Sequence, residues 1–143
     1  TRGIETRVSS AITMPQICEG YIPGRARRHI EKGRVVIFAA GLGAPYFTTD
    51  STSVQRALEV GADLLIMAKN GVGGLYTGDP KKDKRATFIK TITASEVLEK
   101  NLKAADQSAI ALAKEHGLTI KVVGVPDIAN ALDEKVGSTI LPQ

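Results

Sequence analysis

The sequence predicts an α/β protein: a mainly parallel sheet flanked by helices on both faces. Three observations carry that expectation. Three apolar, β-branched runs, "RVVIFAAG", "ADLLIMAK" and "TIKVVGV", have the length and composition of strands buried in a parallel sheet. Amphipathic stretches separate them, and these end on glycines at Gly33, Gly61 and Gly117. Strands alternating with helices in this order form parallel sheets through right-handed crossovers.

Taken in chain order, "IETRVSSAI" alternates well enough for a short strand. "QICEGYIPGRARRHIEKG" reads as a helix or a helix pair, interrupted around Pro23 and Gly24 and closed by Gly33. "RVVIFAAG" follows as a strand buried on both faces. "STSVQRALEVG" is then a helix with Val54, Ala57, Leu58 and Gly61 on one face and Gly61 as its stop. "ADLLIMAK" is a second buried strand. Residues 70–90 are rich in Gly, Pro and Lys and read as a long loop, with a hairpin as one option. Thr93 and Glu96 have the spacing of a capping box and start a helix. "DQSAIALAKEHG" is a further helix, "TIKVVGV" a third buried strand, "DIANALDEKVG" a helix and "STIL" a last short strand.

The bulk properties narrow the function classes. A length of 143 residues fits one domain, residues 1–143, with a real core. Hydrophobic content of 43% and charged content of 24% describe a soluble globular chain. No apolar run reaches a membrane-spanning length and no signal-peptide pattern opens the chain, so no membrane partner is expected. A lone cysteine, Cys18, points to a reducing, cytoplasmic setting. His29 and His116 are too far apart in sequence for a Cys/His metal constellation, and no protein metal site is expected. Aromatics total 4%, which argues against base stacking as a general binding mode; no nucleic-acid partner is expected. The net charge of +4 favours small anionic partners mildly.

In an open parallel sheet, ligands bind beyond the carboxyl ends of the strands. Two glycine-rich loops occupy such positions. In the first, "GLGAPYFTTD", Gly41 and Gly43 permit close backbone approach. Thr48 and Thr49 offer hydroxyls, and Tyr46–Phe47 offers a wall for a base. Two readings stand: an anion cradle at a helix start, or an ordinary strand-to-helix turn with Asp50 or Ser51 as N-cap. It is neither a P-loop nor a dinucleotide fingerprint. In the second loop, "KNGVGGLYTGDP", Tyr76 and Asp79 are spaced to hold an adenine and a ribose or magnesium-bound phosphate. The plain alternative is a turn with a Gly-Asp-Pro corner. Asp106 opens a helix, where an acid serves the helix dipole or positions a catalytic lysine. Arg25, Arg28, His29 and Lys32 share a helical face, read as a solvated face or subunit contact ahead of nucleic-acid binding.

Together, "RVSSAITMPQICEGYI", "RHIEKGRVVIFAAGLGAPYFTTDS", "GLYTGDPKKD", "SEVLEKNLKAAD" and the closing "GSTIL" resemble, in the same order, the bacterial uridylate (UMP) kinases of the amino-acid kinase superfamily. The resemblance runs over essentially the whole chain. It implies transfer of the γ-phosphoryl group from Mg-ATP to UMP, giving ADP and UDP, with Mg2+ carried on the nucleotide. It implies UMP contacts from Leu42, Gly43, Ala44, Pro45, Tyr46, Phe47, Thr48 and Thr49. It implies ATP contacts from Asn70, Tyr76 and Asp79. Asp50 and Asp106 match acids that hold the active-site lysine network, and hexamers built from dimers are implied as the assembly. This sequence departs from the pattern in several places. It holds no Lys-x-Ser-Gly and no Gly-Gly-Gly phosphate loop, so the resemblance is to the back portion of the fold, truncated on the N-terminal side and expected to be inactive alone. Gly73 stands where an acid is usual. Leu42 and Ala44 stand where Thr and Asn are common. Pro126-Asp127-Ile128-Ala129 replaces Asn-Lys-Pro-Gly. The rival expectation, favoured by Gly73 and by the absent lysine loop, is a non-catalytic nucleotide-binding or regulatory domain of the same fold. Related kinases of carbamate, glutamate or aspartate fit the Tyr-Phe-Thr-Thr-Asp run less well.

Overall fold

The computed structural model describes residues 3–103 and 105–143. The chain divides into two compact units, one ending at Ala62 and the other starting at Asp63.

The first unit is built on a three-stranded parallel sheet, order β2-β1-β3, from β1 (Thr6–Ser10), β2 (Glu19–Gly20) and β3 (Val35–Ala39). Helices α1 (Pro23–Glu31) and α2 (Thr49–Val60) complete it. The helix expected from residue 16 begins only at Pro23. Proline fixes φ and lacks the N–H that a first helical residue leaves unused, so Pro23 starts the helix instead of interrupting it. Upstream, Glu19 and Gly20 pair with Ser9 and Ser10. Ala26 of α1 and Val54 and Ala57 of α2 are buried, and the two helices pack together. Gly61 ends α2 in the left-handed conformation, φ 72°, as its position in the sequence implied.

β3 is not buried on both faces. Its register with β1 sets Val8 beside Ile37 and Thr6 beside Val35, so Val8, Val35 and Ile37 share one face. They are 39%, 48% and 50% exposed, and that face is open among the described residues.

The second unit carries a mixed sheet of order β4-β8-β9-β7. Its strands are β4 (Leu64–Lys69), β7 (Thr91–Thr93), β8 (Thr119–Gly124) and β9 (Ser138–Leu141). β4 and β8 are parallel, as are β7 and β9, while β8 and β9 run antiparallel. The hairpin option in the long loop is realised as β5 (Leu75–Tyr76) and β6 (Phe88–Ile89). Helices α3 (Ala94–Glu99) and α4 (Gln107–Glu115) follow, and the core gathers Ile92, Val97, Ala109, Ile110, Ile120, Val122, Val123 and Ile140. The Thr93–Glu96 capping box forms as spaced.

Sheet position explains which apolar runs are buried. β8 lies between two neighbours and is buried from Ile120 to Gly124. β4 sits at an edge and is mostly half-buried, with only Met67 fully inside. The helix expected over 127–137 shortens to a 3-10 helix, Val125–Asn130. Beyond it, the Asp133 carboxylate accepts from the Lys135 N–H at 2.8 Å, a local bond that competes with helix. Among the described residues, no helix is long and apolar enough to cross a membrane.

Candidate functional site

The first predicted loop leaves β3 through a run of left-handed residues: Ala40 (φ 63°), Gly41 (φ 57°), Gly43 (φ 74°) and Tyr46 (φ 68°). Residues other than glycine rarely take this conformation, and Ala40 and Tyr46 both do so here with exposed side chains. Gly43 sits hard against Ala11, where a Cβ would meet the Ala11 carbonyl oxygen at 3.2 Å, and its N–H donates to the Ala40 carbonyl at 3.1 Å. Pro45 to Thr49 are exposed, Tyr46 entirely so, and Asp50 is half-buried in the first turn of α2. The N-cap of α2 is Thr48, not Asp50 or Ser51: its hydroxyl accepts from the Asp50 N–H at 3.2 Å. Asp50 instead occupies the first turn, where a carboxylate complements the helix dipole.

Behind this loop is a polar network that the residue pattern did not reveal. The Arg56 side chain, 8% exposed, donates from Nη1 to Glu59 Oε2 at 2.7 Å and from Nη2 to the Gly41 carbonyl at 3.3 Å. Its guanidinium carbon lies 3.7 Å from the centroid of the Tyr21 ring. The Tyr21 hydroxyl donates to Glu59 Oε2, and Gln55 Nε2 donates to Glu59 Oε1 at 2.9 Å. Burial first, then its bond to the Glu59 carboxylate, pushes the Tyr21 phenol up to about 12. Burial raises the Glu59 carboxyl, but the hydrogen bonds from Tyr21, Arg56 and Gln55 together outweigh it and leave the group below its ordinary value. The i,i+3 spacing of Arg56 and Glu59 was the one available signal; the contribution of Tyr21, from a distant segment, had none.

The second predicted loop shapes a cavity of about 540 Å³ wholly within the second unit. Tyr76 and Asp79 both line it, with Val72, Gly74, Leu75, Thr77, Gly78 and Pro80. Lys81, Lys82, Lys100 and Lys103 add four cationic side chains. Asn70 is exposed and stands outside this lining. Asp79 also shapes its own corner: Oδ1 accepts from the Lys81 N–H at 2.9 Å, and its carbonyl accepts from the N–H groups of Lys82 and Asp83. This stretch is therefore a Gly-Asp-Pro corner that edges a cavity. Asp106 is half-buried at the N-cap of α4, three residues beyond Lys103 of the lining.

The hairpin bearing Tyr76 is fastened by Ser138, which is completely buried. Its hydroxyl accepts from the Leu75 N–H at 2.8 Å and donates to the Ile89 carbonyl at 2.5 Å. Gly74 has no room for a side chain: a Cβ would lie 2.5 Å from Ser138 Oγ and 2.7 Å from Phe88. Gly73 differs. A Cβ there meets nothing within 4 Å, so neither packing nor backbone demands glycine.

The family model described as the amino acid kinase family matches residues 2–124. The chain is 49% identical over 144 residues to the uridylate kinase of Arthrobacter sp. (strain FB24), covering 98% of this chain and 59% of that protein. It is 51% identical over 139 residues to the uridylate kinase of Tropheryma whipplei (strain Twist), covering 96% of this chain and 60% of the relative. The structure of UMP kinase from Bacillus anthracis superposes with a TM-score of 0.94 at 36% identity, over 100% of this chain and 60% of the other. UMP kinase from Ureaplasma parvum gives a TM-score of 0.89 at 36% identity, over 96% and 60%. The chain thus spans about 60% of the length of the relatives it matches. Because the family model matches residues 2–124, most of the sequence, and the fold superposes on those structures with TM-scores of 0.94 and 0.89, the chain belongs to the amino acid kinase family.

Proposed function

We propose that this chain is the nucleotide-binding portion of a uridylate kinase, which transfers a phosphoryl group from Mg-ATP to UMP and yields ADP and UDP. The observation that carries the reading is the lysine-ringed cavity containing Tyr76 and Asp79. Its volume lies in the range of small-molecule sites, about 300–1,000 Å³. An aromatic ring suits a base, and lysines suit phosphates. Phosphoryl transfer asks little covalent chemistry of a protein and much positioning and charge stabilisation. In this reading Asn70, Tyr76 and Asp79 serve ATP, the segment Leu42–Thr49 serves UMP, and Asp50 and Asp106 orient the lysines of the reacting centre.

Among the described residues, no group of three or more His, Cys, Asp or Glu side chains gathers to hold a metal. The donor set fits a Mg2+ that arrives on the nucleotide and takes its ligands chiefly from phosphate and water, the common mode for this ion. When bound, the ion would neutralise charge developing on the transferred group. Transfer itself is proposed for a protein of full family length. For these 143 residues, the part open to test is nucleotide binding, in a cytoplasmic homo-oligomer.

Calorimetric titration with UMP, with CMP and GMP as controls, tests the reading. Heat selective for UMP, together with Mg-ATP binding weakened by Asp79→Ala, is the expected result. Equal heats from all three monophosphates would overturn the uridylate assignment. A second reading, a non-catalytic nucleotide sensor of the same fold, is favoured by Gly73, where an acid would fit without clash but is missing. Turnover of UMP by a longer protein containing this sequence would exclude it.

A further inference from the structure

The loop Leu42–Thr49 leaves β3 through left-handed backbone conformations that few residues other than glycine adopt. What supports its root is the network behind it. Gly41, at φ 57°, offers its carbonyl to Arg56 Nη2 at 3.3 Å. The same guanidinium is pinned from a second side by Glu59 at 2.7 Å and from a third by the Tyr21 ring at 3.7 Å. Glu59 is itself held by Gln55 and by the Tyr21 hydroxyl. A guanidinium can serve a carbonyl and a carboxylate at once because its donors lie in a fixed planar fork; an ammonium is a single point donor. The network thus ties two successive turns of α2, those of Arg56 and Glu59, through one side chain to the first residues of the loop.

We propose that Arg56 is a positioning residue for the monophosphate-binding loop: its fork, oriented by Glu59 and Tyr21, sets the Gly41 carbonyl and so the path of residues 41–48. The inference rests on the assignment of that loop to UMP, but its structural half can be tested without the ligand. Arg56→Lys keeps the charge and removes the fork. Glu59→Gln keeps the size and removes the charge that orients it, which guards against a misfolded Arg56 variant.

The test is amide hydrogen exchange by NMR on the full chain, followed by UMP calorimetry. The expected result is local. Exchange at the Gly43 amide, bonded to Ala40, accelerates about tenfold in both variants while amides in β3 keep wild-type protection. UMP binding then weakens about tenfold, the scale of one lost charge-assisted bond. Unchanged exchange at Gly43 in both variants would overturn the inference. Equal acceleration throughout the first unit would overturn it too, since it would reduce Arg56 to a general packing role. If the wild-type chain gives no UMP heat, the functional reading fails, and the exchange pattern still decides the role of Arg56 by itself.

Discussion

Ser138 shows how one hydroxyl can set the geometry of a loop more than sixty residues away. With no exposed surface, it accepts a hydrogen bond from one strand of the Tyr76 hairpin and donates one to the other. Removing it leaves the Leu75 N–H and the Ile89 carbonyl short of a partner in a buried place. Such orphaned groups cost about 1–3 kcal/mol. Ser138→Ala is therefore expected to lower urea stability by about that amount. It should also weaken Mg-ATP binding more than UMP binding, because the hairpin lines the cavity. A urea midpoint identical to wild type would sink this account. In the sequence, Ser138 reads only as the first residue of a short strand; the four letters "STIL" carry no hint that its side chain bridges a hairpin.

Among the elements, α2 has an attachment that is sensitive to pH at both ends of the scale. Two of the groups around Arg56 titrate, and they do so at opposite ends of the scale. The folded Tyr21 phenol is raised from 10.0 to about 12. The unfolded chain therefore loses this proton first as the solution becomes alkaline. The stability it contributes is complete below about pH 10 and drains away between 10 and 12. The folded Glu59 carboxyl is lowered from 4.5, so its contribution is present above that value and fades as the pH falls below it. Tyr21→Phe is expected to flatten the alkaline loss relative to wild type and, because the Tyr21 hydroxyl is the first of the bonds that lower Glu59, to shrink the acid-side loss as well. Urea titrations of both proteins from pH 9 to 12 check this, and parallel alkaline slopes would refute it. At the same scale, the failure of helix after Asn130 shows a local competitor winning: Asp133 satisfies the backbone in a turn that the apolar spacing of the segment did not advertise.

At the scale of the whole chain, the open face of the β1–β3 sheet is the feature with the clearest consequence. Val8, Val35 and Ile37 form a contiguous apolar row, with Ile4 and Ile12 also exposed. Uncovered apolar patches on strands drive association. Sedimentation velocity on the chain is expected to show self-association that grows with concentration. The double substitution Val35→Thr, Ile37→Thr, which keeps β-branched side chains in the strand, is expected to reduce it. A wild-type chain that stays monomeric up to its solubility limit would refute the prediction. The same openness is the reason the sequence misleads about β3: an apolar run states that a strand prefers cover on both faces, and burial requires that something be there to provide it.

What the sequence determined by itself is the succession of elements and the position of the loops that matter. The runs that became β3, β4 and β8, the stop at Gly61, the Thr93 capping box and the two glycine-rich loops all follow from local rules: periodicity, backbone freedom at glycine, and side chains bonding to their own helix ends. The tertiary structure alone decided three further things. It put β8 in the centre of its sheet and β4 at the edge, which set their burial. It brought lysines from two separated segments around Tyr76 and Asp79. It joined Tyr21 to Arg56 and Glu59 behind Gly41. Each of these joins residues far apart in the chain, and neither periodicity nor propensity carries information across such separations.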